Sequence, residues 1–170
     1  MSLPVVALVG RPNVGKSALF NRIVGRNTAI VSEEAGTTRD RHFGRAEWAG
    51  SAFWLVDTGG ITDDPRAAMD LEIRRQVQQA IDEADLLLFV VDAKNGMHPV
   101  DHRIADLLRT SGKPFLVIAN KADNPSATDY YEFYELGAGD PIPVSAVSGK
   151  QSGDMLDVVV ANIPEVPAED

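Results

Sequence analysis

Apolar residues in this chain fall into short unbroken runs, separated by stretches in which apolar positions recur every three or four residues. The runs at Val5 to Val9, Phe53 to Val56, Leu86 to Val91, Phe115 to Ala119 and Ile142 to Val144 are bounded by turn signals and read as buried strands. Between them, Met69, Ile73, Val77, Ala80, Ile81 and Ala84 share one helix face, and Val100, Ile104, Leu107 and Leu108 share another. Glu47-Trp48 and Ala52 to Trp54 flank Ala49-Gly50-Ser51, which predicts a hairpin and one antiparallel edge strand. Alternating strands and helices imply an α/β domain of three layers: a mostly parallel six-stranded sheet with one antiparallel edge strand and helices on both faces.

The stretch from Arg26 to Gly44 has no clean period and carries paired threonines, so it reads as a loop. Loops of that length are usually functional or disordered. There is no internal repeat and no low-complexity block. Pro164 to Asp170 holds two prolines and three acids, so the expected organisation is one domain over 1–163 and the start of an acidic linker over 164–170, within a longer protein.

Composition narrows the function classes. The 170 residues are 44% hydrophobic and 24% charged, as in ordinary globular domains. The absence of cysteine removes disulfide frameworks and thiolate metal sites, and the apolar runs are too short to cross a bilayer, so a cytoplasmic protein without a membrane partner is expected. The net charge of −9 argues against a nucleic-acid-binding surface spread over the whole domain. Yet residues 1–50 hold 7 of the 16 basic groups and 4 of the 25 acidic ones. The basic part coincides with the motif described next, and the acids read mainly as solvated helix faces.

Gly10-Arg11-Pro12-Asn13-Val14-Gly15-Lys16-Ser17 follows the first strand and opens a helix containing Ala18, Leu19 and Ile23. Glycines at this spacing let successive backbone N–H groups point at phosphate oxygens, and the helix adds the positive end of its dipole. Lys16 is then placed for the β- and γ-phosphates and the Ser17 hydroxyl for Mg²⁺. Asp57-Thr58-Gly59-Gly60 ends a strand at the sheet edge where α/β proteins bind ligands, which suits Asp57 to Mg²⁺ through a water and the Gly60 N–H to the γ-phosphate. Asn120-Lys121-Ala122-Asp123 ends another strand at that edge. A carboxylate at Asp123 can accept from the ring N–H and the exocyclic amine of guanine, a donor pair adenine lacks. Ser145-Ala146, after the last strand, is placed to give backbone N–H groups to the guanine oxygen.

With Gly36-Thr37-Thr38-Arg39-Asp40 and Ile61 added, these motifs in this order resemble the translation-factor-related P-loop GTPases. More narrowly, the chain resembles the first G domain of the Der (EngA) ribosome-assembly family over essentially its whole length. The resemblance implies a switch hydrolysing GTP to GDP and phosphate, in which Thr38 joins Ser17 and Asp57 around Mg²⁺ when the γ-phosphate is present. Lys16, Thr38, Asp57, Gly60 and Asn13 would be the catalytic set. Ile61 stands where many relatives carry a water-orienting glutamine. The related potassium-dependent GTPases instead hold K⁺ with an asparagine at the position of Asn13 and with switch-loop carbonyls, here Ser32 and Glu34. The resemblance also implies action on the large ribosomal subunit or its precursor through the full-length protein. Two rivals remain open: a nucleotide-sensing module with negligible turnover, and a P-loop kinase. Arg39 and Arg41 are read as solvated or partner-facing, His98 and His102 as surface histidines, and Trp48 and Trp54 as packing residues.

Overall fold

A computed structural model of the chain describes residues 3–25, 42–58, 69–122, 129–137, 139–146 and 152–164. In chain order these form β1 (Val5–Val9), α1 (Lys16–Val24), β2 (His42–Trp48), β3 (Ser51–Asp57), α2 (Met69–Glu83), β4 (Leu86–Asp92), α3 (Pro99–Ser111), β5 (Phe115–Asn120), a 3₁₀ helix (Asp129–Leu136), β6 (Ile142–Pro143) and α4 (Ser152–Ala161). The sheet order is β2-β3-β1-β4-β5-β6, with β2 antiparallel to β3 and every other pair parallel. This is the expected three-layer α/β architecture.

Side-chain alternation along the strands divides the core between the two sheet faces. Ala7, Val9, Leu87, Phe89, Val91, Val117 and Ala119 pack under α2 and α3. Val6, Leu8, Leu86, Leu88, Val90 and Ile118 pack under α1 and α4. Central β4 is buried at all seven positions, which explains why its first six residues are an unbroken apolar run ahead of Asp92. On α2, Ile73, Val77, Ala80 and Ile81 are buried as their spacing predicts. On α3, Val100, Ile104 and Leu108 are buried while Leu107 is half-exposed. None of the described helices is long and apolar enough to cross a membrane.

The hairpin turn contracts to Ala49 and Gly50, both with positive φ (52° and 83°). That conformation matches the strand twist and lets Trp48 pair directly with Ser51. The register continues to His42 opposite Asp57, so residues 42–44, read from sequence as loop, belong to an edge strand recruited by pairing with β3. Strand β6 is shorter than expected and stops at Pro143, although the Val144 N–H still reaches the Ala119 carbonyl at 2.9 Å. The 3₁₀ helix and α4 carried no clear sequence signal; Phe133 and Leu136 of the first, and Met155, Leu156 and Val159 of the second, are buried. Trp48 and Trp54 are half-buried, and the Trp48 indole donates to Asp157 at 2.7 Å. His98 and His102 are exposed, and His98 caps α3 by accepting from the Val100 N–H at 3.1 Å.

Candidate functional site

Strands β1, β3, β4 and β5 run parallel, so their carboxyl ends bring the motif residues to one edge. The loop after β1 cannot carry side chains freely. A Cβ at Gly10 (φ 154°) would lie 2.5 Å from the Val90 carbonyl oxygen, and one at Gly15 (φ 97°) would lie 2.3 Å from Asn120 Nδ2. Gly15 is also the N-cap of α1 and offers no side-chain cap, leaving the first-turn N–H groups open to an anion. The buried Lys16 folds back over the loop, its Nζ donating to the carbonyls of Gly10 at 2.7 Å and Arg11 at 3.0 Å. Burial pushes its ammonium down from 10.5 to about 8, against the pull of Asp57 and with a smaller push from Arg11. A cation held in a dry loop of backbone amides is an arrangement suited to a polyphosphate.

Beside Lys16, the Ser17 hydroxyl donates to Asp57 Oδ2 at 3.2 Å. Their oxygens form a hard donor pair of the kind Mg²⁺ takes, together with waters and phosphate oxygens. Among the described residues no three His, Cys, Asp or Glu side chains gather into a metal site. The buried Thr58 hydroxyl donates to the Leu8 carbonyl at 2.7 Å and anchors the end of β3 to β1.

The second half of the edge is built around Asn120, which is buried. Its Nδ2 donates to the Val14 carbonyl at 3.0 Å, and its Oδ1 accepts from the Ala146 N–H at 3.1 Å. One amide thus joins the phosphate loop to the loop after β6. Lys121, in a left-handed conformation (φ 67°), reaches back to the Asn13 carbonyl at 2.9 Å and to Asp92 Oδ2 at 3.0 Å. Arg22 braces the far side by donating to the Ala146 carbonyl at 3.0 Å. Together Gly15, Ala18, Lys94, Asn95, Asn120, Lys121, Ser145 and Ala146 line a cleft of about 440 Å³.

The structure therefore brings together Gly10, Arg11, Pro12, Asn13, Val14, Gly15, Lys16, Ser17, Ala18, Asp57, Thr58, Asn120, Lys121, Ala122, Ser145 and Ala146. The expected residues Ser32, Glu34, Thr38, Gly59, Gly60, Ile61 and Asp123 lie outside the described residues, as do Arg39 and Arg41. Arg11 contributes its backbone to the loop, while its side chain faces α3: Nη2 donates to the Gly96 carbonyl at 3.4 Å and Nε lies 3.4 Å from Asp101 Oδ1. Sequence reasoning missed Asp92, Lys94 and Asn95. The available signal was an acid ending an otherwise wholly apolar strand.

Comparison with known proteins is consistent with this geometry. The family described as "50S ribosome-binding GTPase" matches residues 5–121. GTPase Der of Gemmatimonas aurantiaca is 69% identical over 170 residues, covering 100% of this chain and 39% of that protein. GTPase Der of Desulforamulus reducens is 51% identical over 164 residues, covering 96% of this chain and 37% of that protein. The chain thus spans well under half of these relatives' length. Among solved structures, a variant of Era from Aquifex aeolicus bound to GDP and aluminium fluoride superposes with a TM-score of 0.77 at 29% identity, covering 100% of this chain and 60% of the other. Era in complex with MgGDPNP and a 16S ribosomal RNA fragment gives 0.75 at 28% identity, with the same coverage.

Proposed function

Since the chain belongs to the 50S ribosome-binding GTPase family, we infer that the edge cleft binds GTP and GDP with Mg²⁺ and that the domain hydrolyses GTP to GDP and phosphate. The observation that carries this reading is the buried Lys16 ammonium in its backbone loop, next to the Ser17–Asp57 pair and tied through Asn120 to the adjoining 440 Å³ cleft. Lys16 and the α1 amides bind the phosphates, and the Ser17 hydroxyl and Asp57 hold the divalent ion, with Thr38 as the expected third protein ligand. Mg²⁺ there supplies neutralisation of charge developing on the β- and γ-oxygens. The walls at Lys121 and Ala146 receive the base, and Asp123 is the residue assigned to select guanine.

Potassium stimulation fits the exposed position of Asn13 on the loop, with Ser32 and Glu34 completing the site by resemblance. A monovalent cation at that point would offset charge that other GTPases meet with an arginine finger. A cytoplasmic role in assembling the large ribosomal subunit is proposed for the whole protein, of which this chain would be the first G domain. Hydrolysis of GTP and ATP, each in potassium and in sodium at equal ionic strength, tests the reading. GTP turnover that rises in potassium and is lost in Lys16→Ala is expected. Absence of guanine nucleotide binding with Mg²⁺ present would overturn the function, and equal rates in the two salts would remove the potassium site alone.

A further inference from the structure

Asp92 closes β4 in register with Asn120 of β5, so it stands at the same carboxyl edge as the motif residues without belonging to any of the motifs. Its side chain is 1% exposed, yet it is fully engaged. Oδ1 accepts from the backbone N–H groups of Lys94 and Asn95, each at 2.9 Å. Oδ2 accepts from Asn95 Nδ2 at 2.9 Å and from Lys121 Nζ at 3.0 Å. The first three contacts shape the Lys94–Asn95 turn, which lines the 440 Å³ cleft on one side. The fourth fixes Lys121, which lines it on another and whose Nζ also donates to the Asn13 carbonyl of the phosphate loop. A buried carboxylate that met only its own turn would need no cation from a neighbouring strand.

We propose that Asp92 is a positioning residue for nucleotide binding, its carboxylate setting the Lys94–Asn95 turn and the Lys121 side chain as two walls of the base cleft and holding Lys121 on the phosphate loop. Two features support it. Lys121 is a non-glycine residue at φ 67°, a conformation that persists where surrounding contacts over-determine it, and its ammonium has one carboxylate and one carbonyl to do so. Burial alone would push the Asp92 carboxyl up, but the Asn95 amide, Lys121 and the Lys94 amide together hold it below its usual 3.8, so it stays ionised as the clamp requires. The ligand it serves is a planar base on a polyphosphate, because the same contacts join the cleft to the phosphate loop.

The inference rests on the guanine nucleotide site proposed above, so the test starts with wild-type binding. GDP with Mg²⁺ is titrated calorimetrically into the 170-residue chain and into Asp92→Asn, Lys121→Ala, Asn95→Ala and the Asp92→Asn/Lys121→Ala double variant. Asp92→Asn and Lys121→Ala should each weaken GDP binding about tenfold, near the worth of one charge-assisted hydrogen bond. The double variant should lose clearly less than the sum of the two single losses, because both remove the same Asp92–Lys121 link. Single-turnover GTP hydrolysis by Asp92→Asn at saturating protein should change less than about twofold, since that carboxylate bonds to Lys94, Asn95 and Lys121 and not to Lys16 or Ser17. Additive losses in the double variant, or GDP affinities within twofold of wild type, would overturn the proposal. Should Asp92→Asn fail to fold, Asn95→Ala decides: it releases the same oxygen and should cost about threefold, and unchanged affinity refutes the clamp. A wild-type chain that does not bind GDP brings down the functional reading itself, and this inference with it.

Discussion

Replacing Asn120 by alanine removes a buried side chain that joins the two halves of the site. Its amide is 2% exposed and makes bonds of 3.0 Å to the Val14 carbonyl and 3.1 Å from the Ala146 N–H, groups on residues that are 0% and 5% exposed. Truncation leaves both backbone groups buried without that partner, and a stranded polar group costs about 1–3 kcal/mol, so the loss should be about 2–6 kcal/mol. Against a typical domain stability of about 5–15 kcal/mol this is a large fraction. Asn120→Asp sharpens the argument. It keeps the volume but turns the donor facing Val14 into an acceptor, so it should cost at least as much while leaving no cavity. Urea unfolding of nucleotide-free protein, followed by fluorescence of Trp48 and Trp54 at the hairpin, measures both variants. An Asn120→Asp stability within about 0.5 kcal/mol of wild type at neutral pH would show that the bridge contributes little, and the reasoning would fail.

Three further outcomes follow from particular residues. Asp123→Asn should move preference from guanine toward xanthine nucleotides in a competition assay, and an unchanged preference for GTP would remove Asp123 from its assigned role. A Cβ at Gly44 would sit 2.6 Å from Val24 Cγ2 and 2.9 Å from Phe20 Cζ, so Gly44→Ala should destabilise by about 1–3 kcal/mol through overpacking. Calorimetry should show a Tm lower by several degrees, and an unchanged Tm contradicts that packing. Asp92, held below 3.8, contributes stability that is fully present above that pH and is lost as pH falls through its lowered folded value. The stability gap between wild type and Asp92→Asn should therefore be constant from about pH 5 to 7 and narrow below about pH 4; a gap that widens in acid contradicts the ionised clamp.

Much of the site chemistry is legible in the sequence because it depends on local spacing. The spacing of Gly10 and Gly15 marks a tight strand-to-helix loop, and the Lys16-Ser17 pair follows at fixed distance, although the atoms that exclude a Cβ there, the Val90 carbonyl oxygen and Asn120 Nδ2, come from distant strands. The same holds for the apolar runs and helix faces, whose periods of two and about 3.6 residues are properties of the backbone. The hairpin was legible in kind. Its register was not: residues 42–44 look like the polar loop before them, and only pairing with β3 makes them strand.

By itself the sequence determined an α/β domain with a phosphate loop after its first strand, a strand-ending Asp57 and a base motif at Asn120 to Asp123. Tertiary structure decided which distant groups share a hydrogen bond or an ion pair. Asn120 meets Val14 across 106 positions, Arg11 meets Asp101, and Asp92 captures Lys121 from the next strand. No local pattern encodes those partners, because they are fixed by strand order and by the need of buried polar groups to find one another once water is excluded.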